Sequence, residues 1–349
     1  MDKKCVPLPE RETVWIVLSA LILVATGCKK NDQPAGEPAS AGIRLVITGA
    51  PESAVLVGET FALNVEITPE DADAGTVVWS SSDPAVAKVN ADGYVLATGK
   101  GECEILATAE KASAKVSVSV KDRDPAKDEM GHQGAEKKKF GQNNTSTVFS
   151  IGNTGWTGLL WYQGGNNNSM TYYENGTFKA VWNGTNSFIA GVGYYGGDDK
   201  RLNNMQYDCY FRHSKTGSGG GYNYISVYGW TVNPLVEFYI VDDWFSKPGP
   251  NLLGQKKGEF VVDGDTYEIY QNMRYNAPSI DGEKTFPQFF SVRSSSRQNG
   301  HIDISAHFKQ WEKLGMKIGN IFQLMFAVET GGGSGSLDCD YFYLSDGQN

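Results

Sequence analysis

The sequence predicts an all-β protein of two domains, a small β-sandwich followed by a larger jelly roll that carries one helix. Three observations point there. At 349 residues the chain has room for about two domains. Short apolar stretches with two-residue alternation fill residues 43–121 and again the chain from 146 onward, punctuated by Asp-Gly and Asn-Gly turns. Between them, "KDRDPAKDEMGHQGAEKKKFGQNN" (121–144) is charged and almost free of large apolar residues, the composition of a linker.

Taken in order, residues 1–27 read as a targeting segment. Val14–Thr26, "VWIVLSALILVAT", is apolar over roughly the length of a signal core, too short for a comfortable membrane span, and follows Lys3, Lys4 and Arg11. It ends in "ATGC", which resembles a bacterial lipobox with Cys28 as the lipidated residue; a plain signal peptide is the alternative. The resemblance implies a lipid anchor at Cys28 in the bacterial cell envelope, at the outer membrane or cell surface. Residues 28–42, rich in Pro, Ala and Gly, then read as a tether. Cys103, Cys209 and Cys339 remain in the mature chain, an odd number, and the sequence leaves open whether Cys209 and Cys339 pair.

Residues 43–121 hold seven strand-like stretches, from "IRLVI" to "KVSVSVK", with turns at "ADG" and "GKG". The segment "VVWSSSDPAVAKVNADGYVLATGKGECEILAT" (77–108) resembles a bacterial immunoglobulin-like domain of group 2. Trp79 is then a core residue, and the domain is a spacer without chemistry of its own. Residues 122–145 form the linker, with the lysines at 137–139 solvated.

From 146 to 349 the composition turns to Gly, Asn, Tyr, Trp and Phe. Strand follows strand, and the one clear helix is "SAHFKQWEKLG", where Ser305 reads as the N-cap and Gly315 as the stop. Many antiparallel strands with one helix imply a jelly roll. Two carboxylates interrupt its apolar strands: Glu237 in "NPLVEFYIVDDW" and Glu329 in "FQLMFAVETGGGSG". A buried carboxylate is costly unless it is paired, hydrogen-bonded or solvated, so two of them at such places suggest a cleft built on a sheet. Asp198, Asp199, Asp242 and Asp243 read instead as solvated charges. The net charge of −9 argues against a nucleic-acid partner. With four histidines and no His/Cys cluster at ligand spacing, neither a metal nor another cofactor is expected.

Four motifs in order, "SVYGWTVNPLVEFYIVDDW", "MRYNAPSIDGEKTFPQFFSVR", "HFKQWEKLGMKIGN" and "FAVETGGGSGS", resemble glycoside hydrolase family 11, the endo-β-1,4-xylanases, over roughly residues 150–345. The resemblance implies a jelly roll bent like a closed hand, with a "thumb" hairpin over the cleft. It also implies retaining hydrolysis of xylan by a monomer, with Glu237 as nucleophile and Glu329 as acid/base. One carboxyl must protonate the leaving oxygen while the other attacks the anomeric carbon. Carried over by position, Trp161 stacks on the sugar and Trp230 lines the cleft. Tyr228 and Tyr239 contact the carboxylates, Arg274 bonds the sugar, Gln288 lies near the nucleophile and Pro278 marks the thumb tip. Ser187 stands beside the acid/base where the family has Asn or Asp, so it is the pH-setting neighbour, and a near-neutral to mildly acidic optimum is expected. Gln323 comes one step earlier than the family's usual pair, so a shifted or bulged strand is expected there. The alternatives are a non-catalytic xylan-binding lipoprotein and a jelly-roll β-1,4-glucanase.

Overall fold

The computed structural model describes residues 42–200 and 206–345, of the stretch 197–200 the backbone alone. The targeting segment, the tether with Cys28, and the side chains of Asp198 and Asp199 lie outside the described residues.

The first domain consists of β1 (Arg44–Thr48), β2 (Val55–Leu56), β3 (Thr60–Ala62), β4 (Asn64–Thr68), β5 (Val78–Ser81), β6 (Ala87–Val89), β7 (Tyr94–Ala97), β8 (Gly101–Thr108) and β9 (Ser113–Lys121). They form three small sheets, β1-β4, β2-β9-β8-β5 and β3-β7-β6. Alternate residues of β8 and β9 (Cys103, Ile105, Val118, Val120) turn inward with Leu63 and Val95, and Trp79 packs against them as expected.

The second domain is built from β10 (Lys137–Phe140), β11 (Thr147–Ser150), β12 (Thr157–Gly164), β13 (Ser169–Tyr172), β14 (Phe178–Asn183), β15 (Thr185–Lys200), β16 (Asp208–Gly217), β17 (Asn223–Val232) and β18 (Val236–Asp243). Then come α1 (Pro250–Leu253), β19 (Gln255–Val262), β20 (Asp265–Ser279), β21 (Gly282–Arg293), β22 (Asn299–Asp303), α2 (Ile304–Lys313), β23 (Asn320–Thr330) and β24 (Ser334–Leu344). One sheet has six strands, β10-β13-β14-β24-β16-β22, and the other nine, β11-β12-β15-β23-β17-β18-β21-β20-β19. All neighbours in the two sheets are antiparallel except β18 and β21.

The two faces of the nine-stranded sheet explain its sequence. Ile225 and Val227 of β17, Phe238 and Ile240 of β18, and Leu324, Phe326 and Val328 of β23 enter the core between the sheets. Their alternate neighbours Tyr224, Tyr228, Trp230, Tyr239 and Ala327 form a second cluster on the opposite face. Both glutamates share the parity of that second set, so each is carried on an apolar strand yet points away from the main core. Helix α2 closes one edge of the core through buried Phe308 and Trp311.

Three expectations are corrected, and the pairing of Cys209 and Cys339, which the sequence leaves open, is answered. Helix α2 is capped by Asp303, whose side chain accepts from Ala306 N at 2.8 Å, while the Ser305 hydroxyl accepts from Tyr207 N. An Asp at Ncap satisfies one of the orphan amides as well as Ser does, and it comes two residues earlier. Asp242 and Asp243 are buried, not solvated. Asp242 takes Arg297 Nε at 2.6 Å and the Tyr267 hydroxyl at 2.6 Å; Asp243 pairs with Lys215. Cys209 and Cys339 are free and buried, as is Cys103.

The third correction concerns residues 122–145. They connect the domains but are not a solvated tether, because β10 adds an edge strand to the six-stranded sheet, with Lys137 opposite Tyr172. Arg123 is buried at the junction: its Nε donates to the Val57 carbonyl at 2.7 Å and its guanidinium lies 3.7 Å over the Tyr343 ring. Arg212 holds the next turn through the carbonyls of Pro125 and Asp128. His132 stacks on Tyr173 at 4.0 Å and bridges Thr177 and Asp338. The low apolar content hid this, since the segment is held by backbone and charged groups.

Candidate active site

The second aromatic cluster forms the floor of a cleft of about 620 Å³. Trp161, Ser187, Tyr228, Trp230, Glu237, Tyr239, Arg274, Pro278, Gln288 and Glu329, all singled out in the sequence, line it together. β17 is the central strand. It pairs with β18 so that Trp230 faces Glu237, and with β23 so that Tyr224 faces Glu329. Gly229 lets the strands approach, because a Cβ there would collide with the Gln323 carbonyl and the Phe238 ring. The bulge expected near Gln323 is present: β23 skips Phe322 in its pairing with β17, and Gln323 stays buried in the cleft wall.

The surroundings of the two carboxylates differ. Glu237 is 8% exposed and saturated with donors. Its Oε1 accepts from the Tyr239 hydroxyl at 3.0 Å and the Tyr228 hydroxyl at 3.2 Å, and its Oε2 accepts from Gln288 Nε2 at 2.6 Å. Each donor is itself oriented. Trp230 Nε1 donates to the Tyr228 oxygen at 2.6 Å, which leaves that phenol proton for Glu237. Asn272 Nδ2 donates to Gln288 Oε1 at 2.9 Å, which turns the amide nitrogen toward the carboxylate. Glu329 is half-buried, and its Oε2 makes no hydrogen bond among the described residues.

Burial lifts Glu237 above its ordinary range, against the pull of Gln288, Tyr239, Tyr228 and then Arg274. Glu329 is pushed up to about 8, first by burial and then by the charge of Glu237, with Tyr239 and Arg274 drawing it down. Three donors favour the ionised form of Glu237, and the absence of a donor to Oε2 favours the protonated form of Glu329. Over a range of pH near neutrality, one carboxylate therefore faces one carboxylic acid across the same cleft.

Arg274 and Pro278 are exposed on the hairpin of β20 and β21, whose tip is closed by the Ser279 hydroxyl donating to the Gly282 carbonyl at 2.6 Å. Ser187 lies in the cleft, but its hydroxyl is 2.7 Å from the Tyr222 hydroxyl and bonded to it, not to Glu329. Sequence reasoning missed Tyr222, Tyr224, Asn272 and Ser146 as cleft residues. A signal existed for three of them. Tyr222 and Tyr224 keep the two-residue parity of Tyr228 and Trp230, and Asn272 that of Arg274. Ser146 carried none. Among the described residues no group of His, Cys, Asp and Glu could hold a metal ion, and no helix is long and apolar enough to cross a membrane.

Comparison with known proteins agrees with this geometry. Residues 45–120 match the bacterial Ig-like domain (group 2). The chain is 58% identical over 224 residues to endo-1,4-beta-xylanase C of Fibrobacter succinogenes, covering 64% of this chain and 37% of that one. It is 40% identical over 198 residues to endo-1,4-beta-xylanase A of Bacillus pumilus, covering 56% of this chain and 83% of that one. The Fibrobacter relative is thus spanned over much less than half its length. The crystal structure of wild-type ENZbleach xylanase superposes with a TM-score of 0.58 at 34% identity, over 64% of this chain and 93% of that one. Residues 153–340, more than half of the chain and the whole of the cleft except Ser146, match the glycosyl hydrolases family 11 model, and the chain belongs to that family.

Proposed function

We propose that the protein is an endo-1,4-β-xylanase acting with retention, Glu237 as nucleophile and Glu329 as acid/base. The observation that carries this reading is the unequal hydrogen bonding of the two carboxylates: three donors on Glu237, none on Glu329 Oε2. The relatives from Fibrobacter succinogenes and Bacillus pumilus are both endo-1,4-beta-xylanases, which supports xylan as the substrate class.

In the first step a Glu237 oxygen attacks the anomeric carbon while the glycosidic C–O bond breaks and the leaving oxygen takes the Glu329 proton. Esterification removes the charge of Glu237, one of the two causes that keep Glu329 protonated, so Glu329 can then ionise. In the second step Glu329 takes a proton from water, the water oxygen bonds the anomeric carbon, and Glu237 leaves as carboxylate. Trp161 offers a stacking surface for the sugar and Trp230 lines the cleft, and Arg274 and the Pro278 tip close over it.

Azide separates the two roles. Glu237→Ala should be inactive and regain activity with azide, giving the α-glycosyl azide. Glu329→Ala should keep its first step on substrates with a good leaving group, and azide should then give the β-glycosyl azide. The reverse pattern would show that the roles are exchanged.

We further propose that the enzyme is a monomer, lipid-anchored at Cys28 in the bacterial envelope, at the outer membrane or cell surface, with the Ig-like domain as spacer. The small residues "ATG" before Cys28 support the anchor. Cells fed a fatty-acid probe should label the wild type and not Cys28→Ser; equal labelling of both would refute it.

A further inference from the structure

The bulge in β23 changes what the cleft wall presents beyond Trp230. Pairing with β17 passes over Phe322. Ile321 and Leu324 enter the main core, whereas Phe322 packs on the cleft-face cluster and Gln323 lines the cleft. The extra residue thus turns two successive side chains toward one face. Tyr195 of β15 stands opposite Gln323 and also lines the cleft. The Phe322 ring meets the Tyr195 ring edge-on, with centroids 5.4 Å apart and planes at 67°, which steadies Tyr195 while leaving it half-exposed.

The strand pairings set Tyr195 in one row with the nucleophile. Tyr195 faces Gln323, Gln323 faces Trp230, and Trp230 faces Glu237. Neighbouring strands lie about 4.8 Å apart, close to the rise of one sugar in an extended β-1,4-xylan chain, so the row is spaced for successive sugars. The first lies at Glu237 and Trp230, the second reaches Gln323, and the third reaches Tyr195. The chemistry gives the direction. The attacked carbon is at Glu237 and the leaving oxygen at Glu329, so sugars on the Glu237 side belong to the glycone. On β15 the residue facing Glu329 is Ile189, and Tyr195 stands six residues further along, in the row of Glu237. Trp230 is only 5% exposed and offers no open face, whereas Tyr195 is half-exposed. Between them Gln323 Nε2 donates to the Met325 sulfur at 3.2 Å, a weak acceptor that a sugar hydroxyl can replace. Resting on the reading of the protein as a xylanase with Glu237 as nucleophile, we propose that Tyr195, buttressed by Phe322, is the stacking platform of a third glycone subsite. It is a specificity-determining residue that makes the enzyme favour chains with three or more sugars before the cleaved bond.

Two chromogenic substrates with one leaving group isolate this subsite. Para-nitrophenyl β-xylobioside fills two glycone positions and para-nitrophenyl β-xylotrioside fills three, and release of nitrophenolate by the full chain reports cleavage of the same bond in both. The wild type should favour the trioside in kcat/KM by about tenfold, the order of one good stacking contact. Tyr195→Ala should bring the ratio of the two values close to one. Tyr195→Phe should keep it, because the ring face and not the hydroxyl holds the sugar, and Phe322→Ala should lower it part of the way. The proposal is overturned if the wild-type ratio is near one, if the ratio survives in Tyr195→Ala, or if it is lost in Tyr195→Phe. Should Tyr195→Ala fail to fold, as read by circular dichroism, the wild-type ratio and Tyr195→Phe still decide. Failure of the xylanase reading would appear separately, as no nitrophenolate from either substrate and no reducing ends from xylan with the wild type.

Discussion

Glu237 shows how much chemistry a single position can disclose. Its place in "LVEFY" marks a carboxylate on an apolar strand, and the two-residue period puts it on the cleft face with Tyr239. What the period cannot supply is the donor Gln288 and the Asn272 that orients it, because these come from strands 35 to 51 residues downstream whose register sets the contact. Their contact has a measurable consequence. Gln288 donates at 2.6 Å to Oε2 and so favours the carboxylate. Removing it in Gln288→Ala should raise the Glu237 pKa further, by an amount on the order of one unit. Activity needs Glu237 ionised, so the acid limb of kcat/KM should move toward neutral pH while the alkaline limb stays. Asn272→Ala should move it the same way by less, since Gln288 remains but loses its orientation. An acid limb unmoved in Gln288→Ala would show that this amide does not govern the nucleophile. Ser187 marks the boundary of legibility at this scale: its place beside the acid/base is visible in the sequence, its bond to Tyr222 is not.

At the scale of elements, the strands and helix α2 were legible because periodicity is a local property; apart from the cap of α2, which is Asp303 and not Ser305, the errors fell where partners are distant. Asp242 and Asp243 follow an apolar run and resemble a strand end, yet Arg297 and Lys215 reach them from strand and loop segments elsewhere in the chain. The same cause hid the character of residues 122–145. Read by composition, Arg123 is one more linker charge. In the fold it is buried, with its Nε on the Val57 carbonyl and its guanidinium stacked on Tyr343. Arg123→Ala should therefore destabilise the protein by about 2 kcal/mol, from a lost cation–π contact and a carbonyl left without its donor. A solvated linker arginine would change stability by less than about 0.5 kcal/mol. Denaturant titration of the full chain decides between them, and a midpoint equal to wild type would restore the linker reading.

For the whole molecule, the fold accounts for the cleft as a property of one long curved sheet. Nine strands carry a core face and an aromatic face, and the six-stranded sheet covers the first while leaving the second open. The segment that precedes the family-matched residues adds β10 to one sheet and Ser146 to the cleft. The Ig-like domain meets the second domain through buried Arg123, and Gly58 lies so close to Tyr343 that a Cβ would collide with its hydroxyl. This whole arrangement serves one central claim, that a saturated Glu237 attacks while a donor-poor Glu329 carries the proton. Two inversions at one carbon leave its configuration unchanged, so the stereochemistry of the first product reads the claim directly. Proton NMR of xylan hydrolysis by the full chain, recorded before mutarotation, should show the β-anomer of the new reducing end first; first appearance of the α-anomer would contradict it.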